Sequence, residues 1–273
     1  MARLAGKVAL VSGSGRGIGQ AIALKLAAEG ARVIVNDIDS GPAEETVRRI
    51  VDAGGQAIAE VGDVTAGEFP SRFVNRALST WERLDIIVNN AGYTWDSVIQ
   101  KMGDEQWAAM LDVHTTAPFR ILRAASEYIR KASKEEKMRG ENVYRKVVNI
   151  TSTGALYGNA GQVAYTAGKA AVIGLTKTLS REWARYNVNV NCVAFGLIHT
   201  RLTQPVGEGA MTIEIKGRQL PVGVSNEMMQ NLGLWIPMGR GGTPEEAAGA
   251  VFLMCLPEAN YITGHVLAAS GGY

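Results

Sequence analysis

Apolar residues come along this chain in short runs separated by amphipathic stretches. KVALV, ARVIV, LDIIVN, KVVNITS and VNVNCVAF are β-branched and nearly continuous, the pattern of strands buried on both faces. QAIAEVGDV and GHVLAAS extend the series to about seven strands. Between them the apolar positions follow helical spacing. Ile18, Ile22 and Leu26 mark the first helix, and Gly30 supplies its stop. GPAEETVRRIVDAG reads as a second, and AGEFPSRFVNRALSTW as a third with Pro70 in its first turn. Longer helical patterns cover roughly Glu105 to Lys131 and Gly161 to Tyr186, and a last one runs from about Pro244 to Cys255. Regular alternation of strand and helix predicts an α/β fold, a parallel sheet with helices on both faces. No internal repeat or Pro/Ser-rich linker divides it, so residues 1–273 read as a single domain.

Two segments break the rhythm. Residues 131–146, KASKEEKMRGENVYRK, are charged and poor in apolar residues, and read as a solvated helix end and loop. Residues 201–236 form a long connection, of the kind that compact domains use as a lid or binding loop. Its apolar residues (Leu202, Met211, Ile213, Ile215, Met228, Met229, Leu232 and Trp235) suit a hydrophobic substrate, or equally a core or subunit interface.

Composition narrows the function. Hydrophobic residues make up 47% and charged residues 20%, enough for a sizeable core. A net charge of +2 gives no basic field for nucleic acid or an anionic membrane. No apolar run approaches bilayer length, and KVALV is cut short by Ser12 and Gly13 before it could serve as a secretory core. The expected location is the cytoplasm. Cys192 and Cys255 with His114, His199 and His265 show no metal-ligand spacing, so no metal site is expected.

Two stretches carry chemistry. VSGSGRGIGQ places Gly13, Gly15, Gly17 and Gly19 between a buried strand and a helix. In that setting glycine lets the backbone approach a pyrophosphate, and the helix N-terminus holds its charge. The second stretch, ITSTGALYGNAGQVAYTAGKAA, holds Ser152 at a strand's carboxyl end, then Tyr165 and Lys169 one helical turn apart. A hydroxyl, a phenol and an ammonium together make a proton-transfer site. A free phenol ionises near pH 10, about three units too high for neutral chemistry, and a neighbouring ammonium would lower it.

With these residues the chain resembles the short-chain dehydrogenase/reductase family, from about Leu4 to Gly272. The resemblance implies a Rossmann-like doubly wound sheet in a three-layer αβα arrangement. It implies a dinucleotide site made by Ser12, Gly13, Arg16, Gly17, Ile18 and Gly19, with Asp37 at the adenosine ribose and Asp63-Val64 at the adenine. Asn90, Ala91 and Gly92 of the N-N-A-G motif, and Gly196, Ile198 and Thr200 of the nicotinamide loop, complete that site. By the same resemblance Ser152, Tyr165, Lys169 and His114 are catalytic, with Tyr165 and Lys169 also touching the cofactor. GNAGQ and YITGHVLAASGG are most similar to 3-oxoacyl thioester reductases, which implies acyl-CoA or acyl carrier protein as partner and a homotetramer. A dehydrogenase of another secondary alcohol (polyol, cyclic alcohol or steroid) is the alternative enzyme, and a weakly catalytic NAD-binding regulator the alternative outside catalysis. Tyr93, Trp95 and Tyr157 flank these motifs and are candidates for the substrate cleft.

The chain departs from the family at three points. His114 stands where Asn is usual, Phe195 replaces the proline of a Pro-Gly pair, and Ala269-Ser270 occurs where an Asp before the glycines is common. The Asn acts through its backbone carbonyl, which His114 retains. For the cofactor, Asp37 favours NAD(H), since a carboxylate repels a 2′-phosphate, while Arg16 keeps NADP(H) as the alternative.

Overall fold

A computed structural model describes residues 2–204 and 211–273. The first half runs β1 (Val8–Val11), α1 (Gly17–Ala28), β2 (Arg32–Val35), α2 (Ser40–Asp52), β3 (Gln56–Ala59), α3 (Phe69–Trp81) and β4 (Ile86–Asn89). There follow α4 (Asp104–Leu111), α5 (Ala117–Met138), β5 (Arg145–Ser152), α6 (Gly154–Tyr157), α7 (Val163–Trp183) and β6 (Val188–Phe195). The remainder is β7 (Met211–Ile215), β8 (Arg218–Val222), α8 (Asn226–Gln230), α9 (Leu232–Trp235), α10 (Pro244–Cys255) and β9 (Val266–Ala269).

Seven strands form one parallel sheet in the order β3-β2-β1-β4-β5-β6-β9. Strand order reverses between β1 and β4, and in such sheets the crevice at that reversal takes the ligand. Every residue of β1, β4 and β6 is buried, as their apolar runs predict. Helices α1, α2 and α10 cover one face with Ile22, Leu26, Ile50 and Val251. Helices α3, α5 and α7 cover the other with Phe73, Ile121, Leu122 and Trp183. The sheet is thus sandwiched as expected. Among the described residues no helix is long and apolar enough to cross a membrane.

Local chemistry sets the helix ends. At α10, Thr243 Oγ1 accepts from the Glu246 N–H at 3.2 Å and Glu246 returns a carboxylate oxygen to the Thr243 N–H at 2.9 Å. Pro244 opens that helix, where a missing N–H costs nothing.

The long helical pattern splits. Between α4 and α5, Asp112–Thr116 widen into one π-helical turn, and His114 sits in it. Helix α5 then runs to Met138, past the expected end. The charged stretch 131–146 is not wholly solvated as its composition suggests. Glu136 and Arg145 are 8% and 3% exposed, because they neutralise one another through paired bonds of 2.6 and 2.8 Å. Arg145 Nε also donates to the Leu84 carbonyl.

The connection 201–236 differs most from expectation. It contains a β7–β8 antiparallel hairpin with a two-residue turn, Lys216-Gly217, followed by α8 and α9. Residues 205–210, and the side chains of Met211 and Met228, lie outside the described residues.

Candidate active site

The glycine turn between β1 and α1 packs directly against the segment after β4. Gly13 has φ +61, and a Cβ there would stand 2.7 Å from Ala91 Cα. A Cβ on Gly19 would overlap the Gly13 carbonyl oxygen. Ser12 is the brace: its Oγ accepts from the N–H groups of Asn90 and Ala91 at 3.0 and 3.1 Å. Asn90 donates in return to the carbonyls of Ser12 and Gly13. Ser12 is itself buried behind the cavity wall. Asn36, unremarked in the sequence, accepts from the Gly13 N–H at 3.1 Å and donates to the carbonyls of Glu60 and Gly62. Its signal was a polar residue closing an otherwise apolar strand.

Among the described residues no side chain caps the first turn of α1. That turn opens on a cavity of about 1430 Å³, where Thr200 stands close enough that a Cβ on Gly17 would touch it. Uncapped N–H groups at a helix N-terminus suit a pyrophosphate, and a glycine cradle admits one closely. Arg16, Ile18, Asp63, Val64, Gly92, Gly196, Ile198 and Thr200 also line this cavity.

Asp37, the residue expected at an adenosine ribose, lines the cavity and is pinned. One carboxylate oxygen accepts from the Gly15 N–H and the other from the Asp39 N–H, each at 3.1 Å. Arg16 turns away to pair with Asp39 at 2.8 Å.

At the other end the chemistry-bearing residues converge. Ser152 ends β5, and its Oγ accepts from the Gly154 N–H at 3.1 Å. Tyr165 and Lys169 share one face of α7, with Lys169 Nζ 5.8 Å from the Tyr165 ring centre. Lys169 Nζ donates to the Ile150 carbonyl at 2.9 Å. Thr151 Oγ1 holds the Lys169 carbonyl at 2.7 Å, locking β5 to α7. The expected lowering of the phenol by Lys169 is not what the structure shows. Burial pushes Tyr165 up to about 12, opposed by its hydrogen bond with Ser152. Burial likewise brings Lys169 down to about 8.

His114 is 2% exposed and closes the floor of this end. Its Nε2 lies 2.8 Å from the Tyr93 carbonyl, so Nε2 carries the proton, and Nδ1 is a buried acceptor without a partner among the described residues. Burial, and then the Lys169 charge, hold the imidazole well below its ordinary pKa. Gly92 is required opposite it, since a Cβ there would overlap the ring.

A sequence model of the short chain dehydrogenase family matches residues 7–210. The chain belongs to the short-chain dehydrogenase family. It is 36% identical to a 3-oxoacyl-[acyl-carrier-protein] reductase of Synechocystis sp., across 100% of this chain and 98% of that one. Identity is also 36% with a reductase of the same name from Vibrio cholerae, covering 98% of each chain. A short-chain reductase of Streptomyces niveus is 34% identical over 97% of this chain and 93% of its own. Members of this family are NAD(P)-dependent oxidoreductases, and that is this chain's class.

In this short-chain dehydrogenase the cavity wall includes Tyr93 but neither Trp95 nor Tyr157. Trp95 supports the hairpin: Ile213, Leu220 and Val222 pack against Tyr93, Trp95 and Leu202, and the Arg218 guanidinium lies 5.4 Å from the Trp95 ring. Tyr157 is 64% exposed and stands edge-on to Tyr273, which does line the cavity. Leu234, Trp235 and Ile236 complete an apolar mouth.

Proposed function

We propose that this protein interconverts a 3-oxoacyl thioester and its 3-hydroxyacyl form with NAD(H). The observation that carries the reading is one cavity with an uncapped helix N-terminus at one end and Ser152, Tyr165 and Lys169 at the other. The acyl thioester is favoured by the names of the relatives and by the apolar mouth formed by Leu234, Trp235 and Ile236. The exposed Trp107 and Phe119 suit burial in a homotetramer.

A bound nicotinamide supplies or accepts the hydride. Tyr165 donates a proton to the substrate oxygen in reduction, and its desolvated phenol stays protonated through the neutral range. Ser152, placed by the rigid end of β5, donates a hydrogen bond to the same oxygen as charge develops. Lys169 holds the cofactor ribose and replenishes the phenol. His114, neutral and fixed to Tyr93, shapes the floor beneath Tyr165. The hairpin and following helices in 201–236 act as the substrate lid.

A spectrophotometric screen of NADH and NADPH against acetoacetyl-CoA and a panel of polyols, cyclic ketones and steroids tests this. Turnover of the thioester with NADH is expected. Turnover confined to another ketone or alcohol would replace the substrate, and no turnover at all would overturn the reading.

A further inference from the structure

The hairpin turn carries a lysine where the backbone favours glycine or asparagine. Lys216 has φ +53 and Gly217 φ +76, so both turn residues are left-handed, as a two-residue hairpin turn of this kind requires. Lys216 extends from that tip to the opposite wall of the cavity. Its Nζ lies 2.7 Å from Asp63 Oδ2 and 2.7 Å from Thr65 Oγ1. Asp63 Oδ1 meanwhile accepts from the Thr65 N–H and hydroxyl at 2.9 and 2.8 Å. Asp63, Thr65 and Lys216 all line the cavity. A second tie lies beside the turn, where Arg218, the first residue of β8, pairs with Glu105 at the start of α4.

We propose that Lys216 is a positioning residue of the dinucleotide site, acting through Asp63 to hold the hairpin across the adenosine end. A carboxylate offers about four lone-pair sites. Three are taken by Thr65 and Lys216, which leaves one on Oδ2 for the exocyclic amine of adenine. The ammonium therefore fixes the carboxylate without displacing the base. It also closes a bridge from the hairpin to the loop after β3, and a bound dinucleotide leaves more slowly while that bridge is closed. The proposal rests on the reading of this cavity as the dinucleotide site.

Stopped-flow displacement of NADH, followed by nicotinamide fluorescence, measures the release rate directly. Lys216→Met keeps the aliphatic stem and removes the charge. It should speed NADH release by roughly two- to fivefold, the range for a partly exposed ion pair. Lys216→Arg should restore slow release. Added salt should speed release from the wild type more than from Lys216→Met. In the cofactor-free protein, amides of the hairpin should exchange faster in Lys216→Met, a readout that needs no ligand. Wild-type release from Lys216→Met, or an Arg variant as fast as the Met variant, would overturn the role of Lys216 alone. A wild-type protein that binds no NADH would overturn this role and the cofactor reading together.

Discussion

The imidazole of His114 stands edge-on to the phenol ring of Tyr165, with centroids 5.0 Å apart and planes at 88°. The contact orients the tyrosine without sharing a proton, because Nε2 is committed to the Tyr93 carbonyl and Nδ1 makes no hydrogen bond among the described residues. His114→Asn keeps the backbone carbonyl and a side-chain donor, so it should fold and hold kcat within roughly tenfold of wild type. His114→Ala leaves a void and an unpaired carbonyl, and should cost about 2–4 kcal/mol in urea denaturation. The imidazole pKa is lowered on folding, so its contribution is fully present above the unfolded value of about 6.5 and is lost progressively as pH falls from there through the lower folded value. Stability of His114→Asn should accordingly fall less between neutral and mildly acid pH. A folded but inactive His114→Asn would show that the ring itself takes part in the reaction.

Tyr165→Phe should nearly abolish turnover while NADH binding persists. Ser152→Ala should lose roughly 10²–10³ in kcat, the usual loss for a donor aimed at a developing oxyanion. Steady-state kinetics beside direct NADH titration separate chemistry from binding. Near-normal activity of Tyr165→Phe would remove the phenol from the mechanism.

The pH profile follows from Lys169. Burial holds its ammonium near 8, charged below that pH and neutral above it. Reductive kcat/KM should be level through neutrality and decline above about pH 8 as the charge is lost. A rate that climbs through pH 8 would show that the neutral amine is the working form.

Cofactor preference follows from Asp37. Its carboxylate is fixed by two backbone N–H groups and cannot swing from a 2′-phosphate, and Arg16 is held by Asp39. kcat/KM should be higher with NADH than with NADPH, and Asp37→Ala should narrow the ratio by roughly tenfold, about 1.4 kcal/mol. A wild-type preference for NADPH would reverse the assignment.

The buried pair gives a prediction for stability. Glu136→Ala strands the Arg145 guanidinium beside Leu84, and should destabilise the protein by about 3–5 kcal/mol in urea denaturation. A loss below 1 kcal/mol would mean that water reaches Arg145 once its partner is gone.

Much of this was legible in the chain. Strands buried on both faces leave an apolar run that little else produces, so β1, β4, β5 and β6 could be read directly. The glycine turn and the Ser152, Tyr165, Lys169 set were legible because each demands particular residue types at fixed spacing. What escaped depends on partners distant in sequence. Thr212 to Val222 alternate about a Lys-Gly turn, a readable hairpin pattern, but what the hairpin rests on (Trp95) and what it reaches (Asp63) lie far upstream. Glu136 and Arg145 look like surface charges until the loop after Met138 folds back. The phenol of Tyr165 shows why neighbours alone do not set a pKa, since its desolvation outweighs the hydrogen bond from Ser152.

The π-helical turn at Asp112–Thr116 also bears on which length changes the chain can absorb. Such a turn takes up one residue more than a regular helix over the same rise, a local slack of one position. At the start of α5 a single-residue deletion would rotate all that follows by about 100° and swing Ile121, Leu122 and Ala125 off the sheet. Within the wide turn, losing a residue after His114 only tightens it to α-helical pitch, and the apolar stripe of α5 stays seated. The imidazole would instead be carried off the tyrosine ring. A shortened chain of that kind should fold and yet lose the alignment of its phenol, so that the same single residue is dispensable for the scaffold and not for the reaction.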